Sequence, residues 1–410
     1  MKTKKLPRTA KDIFRPGLRD KIIYTLIIFF SKLTGRWKYP VKSSGDLETM
    51  TRRDKIYWLY KTVNPVKRAY KGSGIESFLN SDKNIVGALP EGFVSEKKIS
   101  IAAAGDLMPH QYLQNSADTL YNEVYASIFE KDIAMANLEC CIVSGRKEKL
   151  VFDNKKGPVL YYTEGDFDIV KGFGVHQYDF MATACNHSLD LGVEGAESTI
   201  RHLKNREIAF NGLNNTEEES NRATILEKND IQVGVLSCSF GLNAYKAPVD
   251  RPYFVNHINL NDETARIDLT QIKKQVSFCH ENNVDFIIAQ LHWGYEHEFY
   301  PRPEQIATAH YFAECGIDCI IGHHPHVVQP VEYYRTSRDI DRLVPIYYSL
   351  GNLINPFSAP YLTLSYLAQL ILAKGIHKGK SRTYVKEAGF SKVLQQVNGK
   401  NKTISLKHMV

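Results

Sequence analysis

Histidine, aspartate, glutamate and asparagine side chains recur directly after short apolar runs along the middle of this chain. The side chains that could act together are Asp106, Glu139, Asn186, His187, His292, His324 and His326. Imidazole nitrogens with carboxylate and carboxamide oxygens supply enough ligands for two borderline divalent cations. Two cations held close together activate water and polarise a scissile bond, so this set predicts a two-metal hydrolase.

Each of these motifs alone is a weak signal, and the prediction depends on the whole set. A single histidine after a strand is usually a packing residue, an aspartate after glycine often caps a turn, and Asn186 could cap the helix that follows it. Capping does not explain so many loops with metal-ligating groups. The cysteines disfavour a structural zinc site, because Cys140 and Cys141 are adjacent and Cys315-x3-Cys319 stands alone.

Other catalytic motifs are missing from the sequence. It contains no Gly-x-Gly-x-x-Gly, no phosphate-binding loop with Gly-Lys-Ser/Thr, no Gly-x-Ser-x-Gly and no His-Glu-x-x-His. Catalysis by a Ser-His-Asp triad stays open, but it would leave most of the histidine-rich loops unexplained.

Strands alternate with amphipathic helices from Lys98 onward. Short continuous apolar runs are typical of buried strands, and they occur at Ile99–Ala104, Ile133–Ala136, Phe180–Ala184, Phe286–Gln290, Cys319–Ile321 and Ile346–Ser349. Helices are predicted at Glu194–Asn205, Thr264–Asn282 and Pro303–Cys315, and a hairpin at Thr224–Lys228 and Ile231–Ser237. This alternation predicts a layered α/β domain, in which the carboxyl ends of the strands bring the polar loops to one crevice.

Three parts are predicted along the chain. Residues 1–95 are expected to form a basic, largely helical N-terminal extension, and Pro90 to Gly92 mark the break after it. Residues 96–358 would form the α/β domain, and residues 359–410 a β-rich C-terminal extension packed on that domain. Ile22–Phe30 is apolar but too short to span a bilayer, so at most a peripheral membrane contact is expected.

The composition is that of a folded globular protein, with 410 residues, 43% hydrophobic and 24% charged. The net charge of +7 is concentrated near the ends, where it could meet a membrane surface or an acidic polymer. Basic and aromatic residues are not interleaved in a recognition motif, so no specific nucleic-acid binding is expected. Seven cysteines, an odd number without a regular framework, favour a reducing compartment.

Six motifs occur in a characteristic order: GDLM from Gly105, NLE from Asn137, CNHSLDLG from Cys185, HWGYE from His292, GHHPHVVQPVE from Gly322 and YSLGN from Tyr348. Together, over about residues 98–357, they resemble the bacterial capsule-synthesis CapA family, whose members are linked to poly-γ-glutamate production. That domain resembles the calcineurin-like metallophosphoesterases, which implies a layered β-sandwich flanked by helices. Cys185 stands where the family usually has Asn, and Ile22–Phe30 is the nearest counterpart of the family's membrane anchor.

The resemblance implies roles for the metal-ligating residues and two divalent ions, whether manganese, iron, zinc or magnesium. Asp106 resembles the first metal-binding aspartate and Glu139 the bridging carboxylate. Asn186 and His292 resemble ligands of the second metal, and His324 and His326 resemble the paired histidines of the last motif. His323 could replace His324, and His110 could be an extra ligand.

His187 resembles the acid beside the metals and is expected to protonate the leaving group. Asp190 could orient that imidazole or cap a helix. Trp293, Glu296 and Asn352 are predicted to contact the substrate, although Trp293 could instead pack in the core.

Two functions are consistent with the sequence. The first is a two-metal hydrolase or transferase that acts on a capsule-type anionic polymer or on a phosphoester and cleaves a phosphoester or amide bond. The alternative is a non-enzymatic accessory protein that binds the polymer or its synthesis machinery. The expected location is the cytoplasm or the inner-membrane surface, and the resemblance keeps an extracytoplasmic location open.

Overall fold

The strands of the protein were located in a computed structural model that describes residues 6–13, 17–79, 84–145, 152–153 and 157–409. In chain order they are β1 (Ile85–Val86), β2 (Val94–Leu107), β3 (Ile133–Leu138), β4 (Cys141–Val143), β5 (Phe152–Asp153), β6 (Gly157–Pro158), β7 (Tyr161–Thr163), β8 (Gly172–Phe173), β9 (His176–Gln177), β10 (Phe180–Ala182), β11 (Ala209–Asn211), β12 (Thr224–Lys228), β13 (Ile231–Ser239), β14 (Phe286–His292), β15 (Cys319–His323), β16 (Val331–Arg335), β17 (Leu343–Tyr347), β18 (Asn352–Ile354), β19 (Leu364–His377), β20 (Lys380–Asn398) and β21 (Thr403–His408).

The α-helices lie before, between and outside these strands. They are α1 (Ala10–Ile13), α2 (Leu18–Leu33), α3 (Arg52–Lys61), α4 (Ile75–Phe78), α5 (Tyr125–Ile128), α6 (Glu164–Val170), α7 (Gly192–Lys204), α8 (Glu217–Ser220), α9 (Thr270–Glu281) and α10 (Pro303–Glu314). The predicted α/β class is therefore confirmed.

Two large mixed sheets form the framework of the described residues. The first has the strand order β1-β20-β19-β2-β3-β10-β11, with β18 beside β2 and β21 beside β20. The second has the order β12-β13-β14-β15-β17-β16. Strands β2, β3 and β10 run parallel in the first sheet, as β13, β14 and β15 do in the second. Each sheet therefore presents several carboxyl ends at one edge.

The apolar runs are continuous because their strands are buried on both faces. Ile133 and Met135 of β3 belong to the core between the two sheets, which also contains residues of β13, β14 and β15. Ala134, Ala136 and Leu138 of the same strand face a second core on the outer side. A strand covered on both faces reads as one apolar stretch and not as an alternation. Burial of each large apolar side chain stabilises the fold by about 1.5–3 kcal/mol.

The predicted hairpin is confirmed as β12 and β13, which pair antiparallel with Lys228 opposite Ile231. Asn229 and Asp230 connect them with φ values of 49° and 56°. Such left-handed conformations at both central positions suit a right-twisted hairpin, and Asn and Asp tolerate them well.

The strands of the C-terminal residues belong to the first sheet. β19 pairs with β2 on one side and with β20 on the other, so it occupies an interior position. Residues 359–410 contain β19, β20 and β21, which continue the sheet that carries Asp106. The domain boundaries drawn from the sequence stay a prediction.

The N-terminal residues contain α1 to α4, and α3 packs against the α/β domain. The membrane-like run lies inside α2, which packs on α3 and the surrounding residues through Tyr24, Ile27, Ile28 and Ser31. Its other face exposes the large side chains Leu18, Ile22, Leu26, Phe29, Phe30 and Leu33. Within the described residues, no helix combines the length and apolar content needed to cross a bilayer.

Candidate metal centre

The six predicted metal ligands come from the carboxyl ends of strands in both sheets. Asp106 lies on β2, and Glu139 and Asn186 follow β3 and β10 of the first sheet. His292 ends β14, and His324 and His326 follow β15 of the second sheet. All six residues are at most 5% exposed. The edges of the two sheets therefore meet at one buried polar centre.

Gly105 lets β2 approach β18 closely enough to place Asp106 there. A Cβ atom on Gly105 would lie 2.0 Å from the carbonyl oxygen of Gly351, a distance that no side chain could tolerate. The amide of Asp106 donates to that same carbonyl at 3.0 Å. The glycine of the GDLM motif is thus required by backbone packing.

Glu139 is common to two groups of ligand atoms that could each hold a cation. One group comprises Glu139, His292 and His324, and the other comprises Asp106, Glu139 and His326. Within each group the ligand atoms lie within 4.8 Å of one another. Glu139 Oε1 is 3.6 Å from His292 Nε2 and 3.7 Å from His326 Nε2. Glu139 therefore lies between the two groups.

The environment of Glu139 fits a carboxylate that binds cations. It is fully buried, and neither of its oxygens has a hydrogen-bond partner in the described part of the chain. Burial raises the pKa of Glu139 well above its usual value, although nearby His326 opposes the shift. An unpartnered buried carboxylate is costly, and metal coordination is one of the few ways to offset that cost. The buried groups of this centre could hold a metal ion.

Asp106 is held by several donors and is poised in its charged form. Asn137 Nδ2 donates to Asp106 Oδ1 at 2.9 Å, and His323 Nδ1 lies 3.1 Å from the same oxygen. The amide of His324 donates to Oδ2 at 3.3 Å. Burial raises the pKa of Asp106, but the hydrogen bonds of His323 and His326 outweigh it and hold that pKa well below its usual value.

Asn186 and His292 are in direct contact. Asn186 Oδ1 lies 2.9 Å from His292 Nε2, and Asn186 Nδ2 donates to Asn243 Oδ1 at 3.2 Å. Asn137 Nδ2 lies 3.3 Å from His292 Nδ1. Neighbouring amides thus fix the orientation of both side chains.

His187 lies beside this group and is paired with Asp190. His187 Nδ1 lies 2.7 Å from Asp190 Oδ2, which also accepts the amide hydrogen of Leu160 at 2.7 Å. Both nitrogens of the ring are 3.4 Å from Asn243 Nδ2. The structure therefore joins the two predicted catalytic residues and adds Asn243, whose position after β13 follows the same rule that identified the other loops.

His324 belongs to the groups of ligand atoms, whereas His323 and His110 belong to neither group that contains Glu139. His323 Nε2 lies 3.2 Å from Gln290 Oε1, so its ring links Asp106 to Gln290. His110 Nδ1 accepts the amide hydrogen of Tyr112 at 3.0 Å, and burial lowers its pKa to about 4. Of the alternatives that the sequence left open, the geometry favours His324.

The three predicted substrate contacts occupy different surroundings. Asn352 is buried, and its Oδ1 lies 2.9 Å from His326 Nδ1, where it orients that ring. Trp293 is fully buried, stacks on Tyr348 and donates its indole hydrogen to the Tyr348 carbonyl at 3.2 Å. Asn352 thus orients His326, and Trp293 packs in the core. A substrate contact by either residue stays a prediction.

Glu296 is the predicted substrate contact that reaches the opening of the site. Its side chain is 20% exposed, and it forms a third group of ligand atoms with His324 and His326. Trp58 of α3 donates its indole hydrogen to Glu296 Oε2 at 2.8 Å. Nothing in the sequence indicates this role for Trp58, since residues 1–95 contain no motif that points to this centre.

The fold and the site together define a two-sheet α/β protein with a buried carboxylate–histidine centre that could bind metal. The family model of the bacterial capsule synthesis protein PGA_cap matches residues 100–356. This match covers more than half of the 410 residues, and the chain belongs to this family.

Curated relatives carry names from the same field. The capsule biosynthesis protein CapA of Bacillus anthracis is 22% identical over 264 residues, which are 63% of this chain and 60% of that protein. The PGA biosynthesis protein CapA of Bacillus subtilis is 23% identical over 275 residues, 63% of this chain and 64% of the relative. A probable polyglutamine synthesis accessory protein of Mycobacterium tuberculosis is 26% identical over 231 residues, 55% and 56% of the two chains. The chain thus spans about three fifths of the length of these relatives.

Proposed function

We propose that this protein is a two-metal hydrolase or transferase of capsule or poly-γ-glutamate-type polymer biosynthesis, which acts on a phosphoester or amide bond. The observation that carries the proposal is Glu139, whose buried and unpartnered oxygens lie between two groups of potential ligands. The names of the relatives supply the biological context, since they refer to capsule and PGA biosynthesis. The anionic polymer or a phosphoester precursor would be the substrate.

The residues divide into two ligand sets with Glu139 in common. Asp106, Glu139 and His326 would hold one divalent cation, and Glu139, His292 and His324 the other. Asn186 is placed to join the second set through Oδ1, which lies beside His292 Nε2. When bound, two such cations lower the pKa of a water molecule and polarise the scissile bond. Nitrogen and oxygen ligands of this kind suit manganese, iron, zinc or magnesium.

His187 would deliver a proton to the leaving group. Asp190 accepts the hydrogen of Nδ1, and this contact fixes the ring so that Nε2 is the nitrogen left for proton transfer. Leu160 holds the Asp190 carboxylate in place through its amide. His187 and Asp190 belong to the loop between β10 and α7, which also contains Asn186. One short segment therefore positions the acid and a proposed metal ligand.

The architecture is consistent with a metallophosphoesterase-like sandwich. Two mixed sheets share a buried core, helices pack on their outer faces, and the centre lies where carboxyl ends of both sheets meet. This placement supports the resemblance that the sequence motifs suggested. The basic N-terminal residues would be an addition to that framework.

Metal content and turnover of the purified chain test the proposal. Metal analysis after loading with manganese, iron, zinc or magnesium should find about two ions per chain. The loaded protein is then screened on phosphoesters and γ-glutamyl amides, with Glu139→Gln as the inactive variant and the exposed Glu130→Gln as its matched control. A wild-type protein that takes up no metal would refute the two-metal mechanism.

An accessory role is the second candidate, favoured by the name of the relative from Mycobacterium tuberculosis. In that case the same cleft would bind the polymer or its synthesis machinery without cleavage. Metal uptake and polymer binding without turnover on any substrate of the screen would support this role over the enzymatic one.

A peripheral membrane contact is proposed for α2. Its exposed apolar side chains recur at positions 18, 22, 26, 29 and 33, so they form one stripe along the helix. Lys21 and Lys32 border that stripe and are exposed. An apolar stripe with flanking lysines suits the surface of an anionic bilayer. This contact would place the protein at the surface of the inner membrane, on either the cytoplasmic or the extracytoplasmic side.

A further inference from the structure

Residues 43–61 lie across the opening of the candidate metal centre, and we call this segment the N-terminal wall. With Tyr295, Glu296 and His324 it encloses a narrow cleft, to which Ser44, Trp58 and Lys61 contribute from the wall. The wall precedes residues 100–356, the part of the chain that the family model matches. The opening of this site is therefore shaped by residues outside the family domain.

The wall is fastened to the domain by a buried ion network around Glu298. Lys61 Nζ donates to Glu298 Oε1 at 2.8 Å, and Tyr57 donates its hydroxyl hydrogen to the same oxygen at 3.3 Å. Arg302 holds both oxygens of Glu298 at 2.9 and 3.0 Å. Removal of one partner from such a buried pair is strongly destabilising, so the wall is a fixed part of the fold.

Close backbone packing seals the other end of the wall. A Cβ atom on Gly45 would lie 3.0 Å from Asn261 Nδ2 and 3.3 Å from Tyr295 Cε1. Asn261 in turn donates to the Gly294 carbonyl at 2.7 Å. The wall thus packs directly against the loop after β14, and this loop carries Glu296.

Trp58 holds Glu296 through a single oxygen. The indole N–H donates to Oε2, and Glu296 lies in the same group of ligand atoms as His324 and His326, all within 4.8 Å of one another. Since those histidines belong to the two proposed cation sites, Glu296 faces the space in front of both. A substrate bound there would meet this carboxylate.

The described side chains of the cleft offer a phosphate dianion no free cationic partner besides the proposed metals. Lys61 and Arg302 are both bound to Glu298, and each is at most 6% exposed at its side chain. Asp54 and Glu296 are the partly exposed charged residues that line the cleft, and of these two Glu296 belongs to a group of potential metal ligands. Arginine and lysine side chains are common additional partners of phosphoryl groups. A carboxylate instead accepts N–H and O–H donors.

We propose that Glu296, positioned by Trp58 of the N-terminal wall, is a recognition carboxylate that binds the N–H of an amide-type substrate and disfavours phosphate dianions. The inference rests on the proposed function and narrows it to amide bonds. Trp58 is a positioning residue, because it acts on the substrate only through Glu296.

The first arm of the test examines the contact itself in the full chain. The protein has three tryptophans, so the indole N–H region of a ¹⁵N spectrum is simple, and Trp58→Phe assigns the Trp58 signal. Glu296→Gln should shift that signal and leave those of Trp37 and Trp293 in place. The exposed Glu263→Gln is the matched control and should shift none of them. An unshifted Trp58 signal in Glu296→Gln would overturn the positioning role.

The second arm measures recognition in the metal-loaded protein by calorimetric titration with inorganic phosphate. Glu296→Gln should bind phosphate about tenfold more tightly at equal metal content, which corresponds to about 1.4 kcal/mol. Trp58→Phe, which keeps a ring but loses the donor, should show a smaller gain in the same direction. The preference for a γ-glutamyl amide over a phosphate monoester, as a ratio of kcat/KM, should fall in both variants.

The two proposals fail in different ways. Unchanged phosphate affinity in Glu296→Gln overturns the recognition role while metal uptake by the wild type still supports the metal centre. A wild-type chain without metal refutes the proposed function and the recognition role together, and the tryptophan spectrum still decides whether Trp58 holds Glu296.

Discussion

Asp190 Oδ2 lies 2.7 Å from His187 Nδ1 and accepts the amide hydrogen of Leu160 at the same distance. This double contact fixes one carboxylate oxygen between backbone and imidazole. Burial raises the pKa of Asp190, although His187 opposes the shift. The pair resembles the arrangement by which a carboxylate orients a catalytic imidazole. We therefore expect His187 to act as an acid and not as a ligand of the metals.

Replacement of His187 should therefore spare the metals and remove turnover. For His187→Asn we expect a loss of about 10²–10⁴-fold on substrates with poor leaving groups, because their departure needs a proton. Substrates with good leaving groups should be affected less. Metal stoichiometry and rates on both kinds of substrate measure this. Loss of metal in His187→Asn would make His187 a ligand and contradict the assigned role.

Replacement of Glu139 should remove metal and turnover together. Glu139→Gln keeps the shape of the side chain but cannot balance the charge of two cations. Plasma mass spectrometry should find a clear loss of bound metal, while the exposed Glu130→Gln retains it. Full occupancy in Glu139→Gln would show that the two ligand groups do not depend on a shared carboxylate.

Asn352 should act on metal affinity through His326. Its Oδ1 lies 2.9 Å from His326 Nδ1, so Asn352→Ala releases a ring that the proposed site needs in one orientation. Loss of such an outer contact typically lowers metal affinity about 10–100-fold. Competition with a chelator measures this. An increase in KM at unchanged metal affinity would instead support the substrate contact predicted from the sequence.

The ion network at Glu298 should stabilise the fold in a pH-dependent way. Burial raises the pKa of Glu298, but Arg302 and Lys61 outweigh it and lower the pKa from 4.5 to about 2. A lowered carboxyl pKa contributes stability that is complete above about pH 4.5 and is lost as the pH falls toward 2. The shift corresponds to about 3 kcal/mol.

Glu298→Gln should lower the free energy of unfolding at pH 7 by about 3–5 kcal/mol, because Lys61 and Arg302 remain buried without their partner. The difference from wild type should narrow as the pH falls below about 4.5. Urea unfolding at several pH values measures both effects. Glu76→Gln, which breaks the more exposed pair with Arg68, should change little at any pH. A difference that stays constant across this pH range would contradict the expected direction.

The exposed face of α2 should bind anionic vesicles. Phe29 and Phe30 are 59% and 57% exposed, and a double change to Glu should abolish sedimentation with phosphatidylserine vesicles. Val249→Glu, at a 99% exposed site elsewhere, should not. High salt should weaken the binding, because lysine contacts with the lipid surface are screened. If the wild-type chain does not sediment with anionic vesicles, the membrane contact is refuted, and a protein partner would be the remaining explanation of the apolar stripe.

The sequence predicts the starts of several central strands, although β2 begins at Val94, before the apolar run from Ile99. The apolar runs from Ile133, Phe286 and Cys319 begin where β3, β14 and β15 begin. β14 and β15 continue for two further residues because backbone pairing extends past the apolar run, with His292 opposite His323. In β14 and β15 the apolar run shows where burial of apolar side chains ends, whereas the backbone hydrogen bonds between the strands continue for two more residues.

The last predicted strand lies too far toward the C-terminus. The apolar run predicts a strand at 346–349, but β17 spans Leu343–Tyr347 and includes Pro345. β15 pairs only with Ile346 and Tyr347, so Pro345 lies beyond that pairing and its missing N–H costs no bond to β15. Proline interrupts a strand only where the neighbouring strand needs its N–H, and local sequence does not reveal where that is.

The residues of the metal centre are easier to predict from the sequence than the residues that line its opening. The polar groups after apolar strands are identifiable because parallel strands bring their carboxyl ends together. Asn137 and Asn243 satisfy the same rule, although no motif in the sequence identifies either of them as a site residue. Trp58 satisfies no local rule, since its partner Glu296 lies 238 residues away and only the tertiary fold joins them.

The interior position of β19 sets an order of events during synthesis. β2 carries Asp106 but lies between β3 and β19, and Ala103 pairs with Ala368. At about 5–20 residues per second, a ribosome needs on the order of tens of seconds to reach β19 after β2 has been made. A stalled or truncated chain would therefore contain the early histidines and carboxylates without the finished sheet. The sheet around Asp106 therefore reaches its final arrangement only after β19 has been synthesised.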